Sequence, residues 1–178
     1  MIFIDGSNLF HTGRLYGKHY RIEDLCNELS ADRQLVRTYY YGSIPTGGDD
    51  DKVEKQKGFH MRLEYGGINV SIIPLKTREV NFKCPKCGAK SALSRNVEKG
   101  VDVALVTDML AFGFRDGYDV ALLVAGDLDY VRAIEEVKRI PKRVEIAFFE
   151  SVQAISGALK RKADRFIPLE PIINKIGT

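Results

Sequence analysis

The chain has 178 residues, 44% of them apolar and 29% charged, enough for one domain with a substantial core. No apolar run approaches the ~18–20 residues needed to span a bilayer, and no basic-then-apolar leader opens the chain. Three cysteines, two of them in Cys84-x-x-Cys87, do not form a disulfide framework, so a cytoplasmic location is expected.

The net charge of +3 is unevenly spread. Between Lys76 and Lys99 stand seven basic residues (Lys76, Arg78, Lys83, Lys86, Lys90, Arg95, Lys99) against Glu79 and Glu98. That stretch carries +5 and leaves −2 for the remainder. A basic patch on a weakly acidic body suits a phosphate backbone, and so does a plain solvated lysine-rich loop.

In chain order, Met1-Ile2-Phe3-Ile4 reads as a strand buried on both faces, as in a parallel sheet. It runs into Asp5-Gly6-Ser7-Asn8, where Gly6 is expected to allow a sharp turn. His11 to Tyr20 is polar, glycine-containing and aromatic, and reads as a loop. Arg21 to Ser30 is a helix with Ile22, Leu25, Cys26 and Leu29 on its apolar stripe, which makes Cys26 a small core hydrophobe. Leu35 to Ser43 is a strand. Asp49-Asp50-Asp51 opens a helix to Tyr65, its carboxylates favoured by the macrodipole. Asn69 to Leu75 is the next strand. Residues 76–98 are a basic insertion. A helix follows over Lys99 to Phe114, a buried strand over Tyr118 to Ala125 and a helix over Leu128 to Arg139. The pattern closes with a strand over Arg143 to Phe149, a helix capped by Ser151 and running to Lys162, a strand over Phe166 to Leu169 and a short terminal helix. Strands alternating with helices predict an α/β fold, a doubly wound parallel sheet with helices on both faces. The reading is a single domain over 1–178.

Val124-Ala125-Gly126-Asp127-Leu128-Asp129-Tyr130 repeats the opening design, a buried strand ending in glycine and carboxylates. Side by side, two such strands bring Asp5 and Asp127 to one edge of the sheet, where open α/β sheets hold their ligands. Asp102, in the first turn of the helix after the insertion, completes the group if that helix crosses the same edge. Clustered carboxylates repel one another unless some stay protonated or a cation intervenes. Mg²⁺ or Mn²⁺ suits such a site, because magnesium takes a few carboxylate oxygens, waters and substrate phosphate and serves phosphodiester displacement. The weaker alternative for Asp102 and Asp129 is that of plain early-helix carboxylates, and Ser7 and Asn8 read equally as turn formers or as supports of Asp5. Asp108 lies on the apolar stripe of Val101, Leu105 and Phe112. A carboxylate there needs a partner, so it reads as a support and not a ligand.

Phe3-Ile4-Asp5-Gly6-Ser7-Asn8-Leu9, Lys99-Gly100-Val101-Asp102-Val103-Ala104-Leu105 with Asp108, and the stretch from Val124 to Tyr130 together resemble the NYN domain, and more narrowly its LabA/DUF88-type branch. The ending Ala163-Asp164-Arg165-Phe166-Ile167-Pro168-Leu169 is also similar, so the resemblance covers nearly the whole chain. It implies a PIN-like, Rossmann-like sheet and a Mg²⁺- or Mn²⁺-dependent ribonuclease, an endonuclease in the expected form. Carried over by motif, the catalytic and metal-binding positions are Asp5, Asp102, Asp127 and Asp129, with Asn8 assisting. The family often has a serine before the glycine of the third motif. Ala125 stands there, which removes one hydroxyl from the expected pocket rim.

Cys84-Pro85-Lys86-Cys87-Gly88 looks like one knuckle of a zinc ribbon, half of the four ligands that structural Zn²⁺ takes. Two chains each donating Cys84 and Cys87 would make a homodimer. A distant histidine of the same chain (His11, His19 or His60) or a metal-free knuckle are the other readings, and metal analysis of protein purified without added zinc decides among them. RNA is the expected partner, with Lys83, Lys86, Lys99 and Lys160 as phosphate contacts and Tyr16, Tyr20 or Phe82 for stacking on bases. The competing functions are a non-catalytic RNA-binding or regulatory scaffold of the same fold and a small-molecule phosphohydrolase. The latter lacks a glycine-rich phosphate loop.

Overall fold

The structure, a computed structural model, describes residues 1–44, 50–83, 87–88, 90–97, 99–152 and 157–178. Its strands are β1 (Ile2–Asp5), β2 (Thr38–Ile44), β3 (Asn69–Pro74), β4 (Lys76–Lys83), β5 (Lys90–Val97), β6 (Val120–Val124), β7 (Arg143–Phe148) and β8 (Arg165–Pro168). Its helices are α1 (Gly6–Tyr16), α2 (Ile22–Leu29), α3 (Asp50–Tyr65), α4 (Val101–Phe114), α5 (Val131–Arg139), α6 (Gly157–Lys162) and α7 (Leu169–Ile176), with one 3₁₀ turn at Leu128–Tyr130.

Six strands form one parallel sheet in the order β3-β2-β1-β6-β7-β8. With the hairpin β4–β5 set aside, these are the third, second, first, fourth, fifth and sixth strands, the order of a doubly wound dinucleotide-type sheet. Right-handed crossovers put the helices of the first three strands on one face and α4 and α5 on the other. Every residue of β1 is buried, and β6 is buried over Ala121 to Val124. These two strands are neighbours, with Ile4 beside Val124. The chain reverses its winding between them, so their carboxyl ends flank the crevice of the topological switch point.

Four readings change. Of the residues expected to form a loop after β1, His11 to Tyr16 belong to α1, while Gly17 to Tyr20 are non-helical as expected. Asp5 caps this helix, its Oδ1 accepting from the Asn8 N–H at 3.0 Å, and Leu9, Thr12 and Gly13 supply its buried face. Gly6 makes no left-handed turn. Its role is close approach, because a Cβ there would fall 2.2 Å from Cζ and Oη of Tyr40. The insertion contains an antiparallel hairpin, β4 on β5, with Lys83 opposite Lys90 beside its turn. Ser151 caps no described helix. Its N–H and hydroxyl donate to Oε1 of Glu170, and the described helix starts at Gly157, residues 153–156 lying outside the described set.

Candidate active site

Asp5, Asp102, Asp127 and Asp129 line one cavity of about 180 Å³, together with Lys99, Gly100 and Tyr130. Three elements converge to make it. Asp5 ends β1 and is 8% exposed. Asp127 and Asp129 follow β6, and the Asp127 carboxylate accepts from the Asp129 N–H at 3.2 Å, capping the 3₁₀ turn. Asp102 is exposed in the first turn of α4. Lys99 is the cation among the described residues that line the cavity. The structure thus gathers all four expected carboxylates.

Two contacts hold Asp5 and its surroundings in place. The phenol of Tyr130, itself buried, donates to Asp5 Oδ2 at 2.7 Å. Asn8 Oδ1 accepts from the Gly126 N–H at 2.9 Å, fastening the first turn of α1 to the end of β6. Asn8 is therefore a clamp between the two aspartate-bearing loops. Gly126 is packed just as closely, since a Cβ there would lie 2.3 Å from Cε1 of Phe148. Burial above all, then the charges of Asp5, Asp102 and Asp127, push the Tyr130 pKa far above the ordinary phenol range. Tyr130 stays a donor at every physiological pH, and the field of three carboxylates converges on its hydroxyl. Sequence reasoning gave Tyr130 no role. A tyrosine three residues after Asp127 carries no signal until the 3₁₀ turn rotates it back towards β1.

The remaining expected positions divide. Asp108 does not line the acidic cavity. Tyr41, buried at the β2 position opposite Asp5, donates to its Oδ2 at 2.9 Å, which supplies the partner this carboxylate needed. Ser7 lines a neighbouring cavity. Ala125 is fully buried and is not among the residues that line the cavity. Lys160 pairs with Glu150 and lies 4.2 Å over the Phe166 ring, not on the acidic cavity. Tyr16 donates to Asn174 Oδ1. Cys26 is core, its thiol pushed up to about 12 by burial. Cys87 is exposed and has no disulfide partner among the described residues, and Cys84 and Lys86 lie outside them.

Among the described residues, no three His, Cys, Asp or Glu side chains stand together as a ready metal cage. The donor set nevertheless fits a hard divalent cation. It is all carboxylate, and magnesium takes one or two carboxylates, keeps several waters and leaves the rest of its shell to substrate phosphate. Softer zinc prefers the nitrogen and sulfur ligands that this cavity lacks.

Fold and site together define a doubly wound α/β protein with an acidic cavity at its switch point. Of solved structures, a protein of unknown function from Vibrio parahaemolyticus has the same fold, with a TM-score of 0.68 and 20% identity, over 96% of this chain and 92% of that one. No curated protein sequence matches the chain. The model of the NYN domain matches residues 1–170, and the chain belongs to that family. The NYN domain is a nuclease-type domain.

Proposed function

We propose that this protein is a divalent-metal-dependent ribonuclease whose centre is the cavity of Asp5, Asp102, Asp127 and Asp129. The observation that carries the reading is the convergence of four carboxylates and one lysine at the switch point, in a chain of a nuclease-type family. Asp5, which ends the buried strand β1, and Asp127, at the turn that follows β6, are the leading ligands, and Asp102 and Asp129 complete the acidic wall from the first turn of α4 and the 3₁₀ turn. When bound, Mg²⁺ or Mn²⁺ supplies activation of water and stabilisation of the leaving oxygen. The chain's own residues orient and balance charge. Tyr130 and the Asn8 N–H fix the Asp5 carboxylate by one bond to each oxygen. Asn8 keeps the β1 and β6 loops in register. Lys99 offers its ammonium to a phosphate oxygen at the mouth, offsetting repulsion between the strand and the acidic wall. Single-stranded RNA is the substrate class.

The test is incubation of labelled single-stranded RNA with Mn²⁺ and the wild type, beside Asp5→Asn and Asp127→Asn. Substituting a residue that only hydrogen-bonds a metal ligand typically costs about 10–100-fold, so loss of a ligand itself should lower cleavage by at least ~100-fold. Cleavage that survives both substitutions sinks the site. Binding without cleavage by the wild type favours the scaffold reading.

A further inference from the structure

Two of the larger cavities among the described residues, of about 500 and 580 Å³, are within the size range of ligand pockets. Both are bounded by Gly6, Phe10, Tyr40 and Phe59. Gly6 follows Asp5 in the chain, so each of these cavities has a wall residue next in sequence to one that lines the acidic cavity. Phe10 stands one helical turn further along α1 and is 59% exposed, so its ring is open to a ligand in either cavity. Tyr40 and Phe59 meet edge to face with ring centroids 5.8 Å apart, forming an aromatic floor. The fringe is basic. Arg14 and Lys18 line the first cavity, Lys52 and Lys55 the second, and no carboxylate is among the described residues lining either. The Arg14 guanidinium lies 5.8 Å from the Phe10 ring centroid, over its face.

Aromatic faces in a trough edged by cations are what a single strand of nucleic acid requires, bases stacking on rings and phosphates following the charges. A folded protein partner would more readily be met by a flat apolar patch than by an open trough with cations on both sides. The acidic cavity cannot attract a polyanion by itself, and this groove supplies the attraction one residue away.

We propose that the two cavities flanking Phe10 form a nucleobase groove that holds the single-stranded RNA adjoining the phosphate at the acidic cavity. The proposal deepens the ribonuclease reading and rests on it for the direction of the strand. Phe10 stacks on a base, and Lys52 and Lys55 contact phosphates. The grip is shared among nucleotides and tolerant of sequence, because every base offers a face to stack.

The experiment is fluorescence anisotropy with a labelled single-stranded oligoribonucleotide and chelator present, in an Asp102→Asn background whose substituted side chain is exposed. Phe10→Ala, at an exposed position that leaves the fold intact, should weaken binding by about ten-fold. Lys52→Ala with Lys55→Ala should flatten the log–log salt dependence by about 0.7 for each phosphate contact removed. Wild-type affinity in Phe10→Ala overturns the groove, and so does a salt slope unchanged by loss of both lysines. A dimer that becomes monomeric in Phe10→Ala without RNA also overturns it, since Phe10 would then face a second copy. Cleavage of the same strand with Mn²⁺ by chains that keep Asp102, with and without Phe10→Ala, separates the two proposals. Cutting without dependence on Phe10 removes the groove and leaves the nuclease. Phe10-dependent binding without cutting removes the nuclease and leaves the groove, and neither binding nor cutting removes both.

Discussion

Tyr130→Phe isolates what one hydroxyl does for the acidic cavity. The ring keeps its volume in a fully buried position, so no cavity opens and the core term is close to zero. What disappears is the 2.7 Å donation to Asp5 Oδ2. A hydrogen bond to a charged group is worth about 1.5–3 kcal/mol. The low end applies, because Oδ2 borders a cavity that water can enter and Oδ1 keeps the Asn8 N–H at 3.0 Å. A loss of about 1.5 kcal/mol corresponds to a fall in Tm of roughly 3–6 °C for a chain of this size. The second effect is on the metal. A partner that orients a ligating carboxylate is typically worth about 10–100-fold in affinity, so the rise of Tm with added Mn²⁺ should need at least ten-fold more ion. Thermal unfolding at neutral pH, repeated across a Mn²⁺ titration, reads both quantities, the second through ligand linkage. An unchanged Tm together with an unchanged Mn²⁺ midpoint refutes the assigned role. A lowered Tm with an unchanged midpoint reduces Tyr130 to a structural residue.

Four tyrosines, three of them buried and Tyr20 half-buried, give a pH prediction. Burial pushes Tyr20 and Tyr118 up to about 12. Tyr41 and Tyr130 go further still, through burial and then their carboxylate partners. An unfolded tyrosine ionises near pH ~10, so folding raises these pKa values. Their stabilising contribution is complete below about pH 10 and is lost as pH rises beyond it. Phenolate absorbance followed with circular dichroism should show these groups ionising only as the fold is lost, and full ionisation with the fold intact would contradict it. Gly6→Ala forces a Cβ against the Tyr40 ring and should destabilise by about 1–3 kcal/mol, the usual range for overpacking. Urea unfolding measures this, and a midpoint equal to that of the wild type would show that the Tyr40 ring yields freely.

Local sequence carries the strands and the acidic motif because both are written in single residues and their neighbours. An apolar run long enough for a buried strand is visible at Ile2 to Ile4 and at Val120 to Val124, and the carboxylate that ends each run stands out by contrast. Repeated alternation with helical stripes then implies a parallel sheet, and the order β3-β2-β1-β6-β7-β8 bears that out. Element ends were less legible. The sequence of α1 holds two glycines, a threonine and an asparagine, all weak helix formers, and its helix depends on a cap from Asp5 and on the core that receives Leu9. The hairpin β4–β5 falls in a stretch whose charges speak more loudly than its periodicity.

What the sequence determined alone was which residues could be chemical: four aspartates at strand ends and helix starts, with glycine beside them. Tertiary structure decided which of them meet and what holds them. Asp5 and Asp127 are 122 positions apart in the chain, and only the reversal of winding between β1 and β6 makes them neighbours. The Tyr130 hydroxyl on Asp5, the Asn8 clamp on Gly126 and the Tyr41 bond to Asp108 span 125, 118 and 67 positions. Such contacts leave no periodic trace, because their partners are fixed by where strands and helices pack and not by spacing along the chain. For the same reason the aromatic trough at Phe10 comes from α1, β2 and α3 together, and no single stretch of sequence displays it.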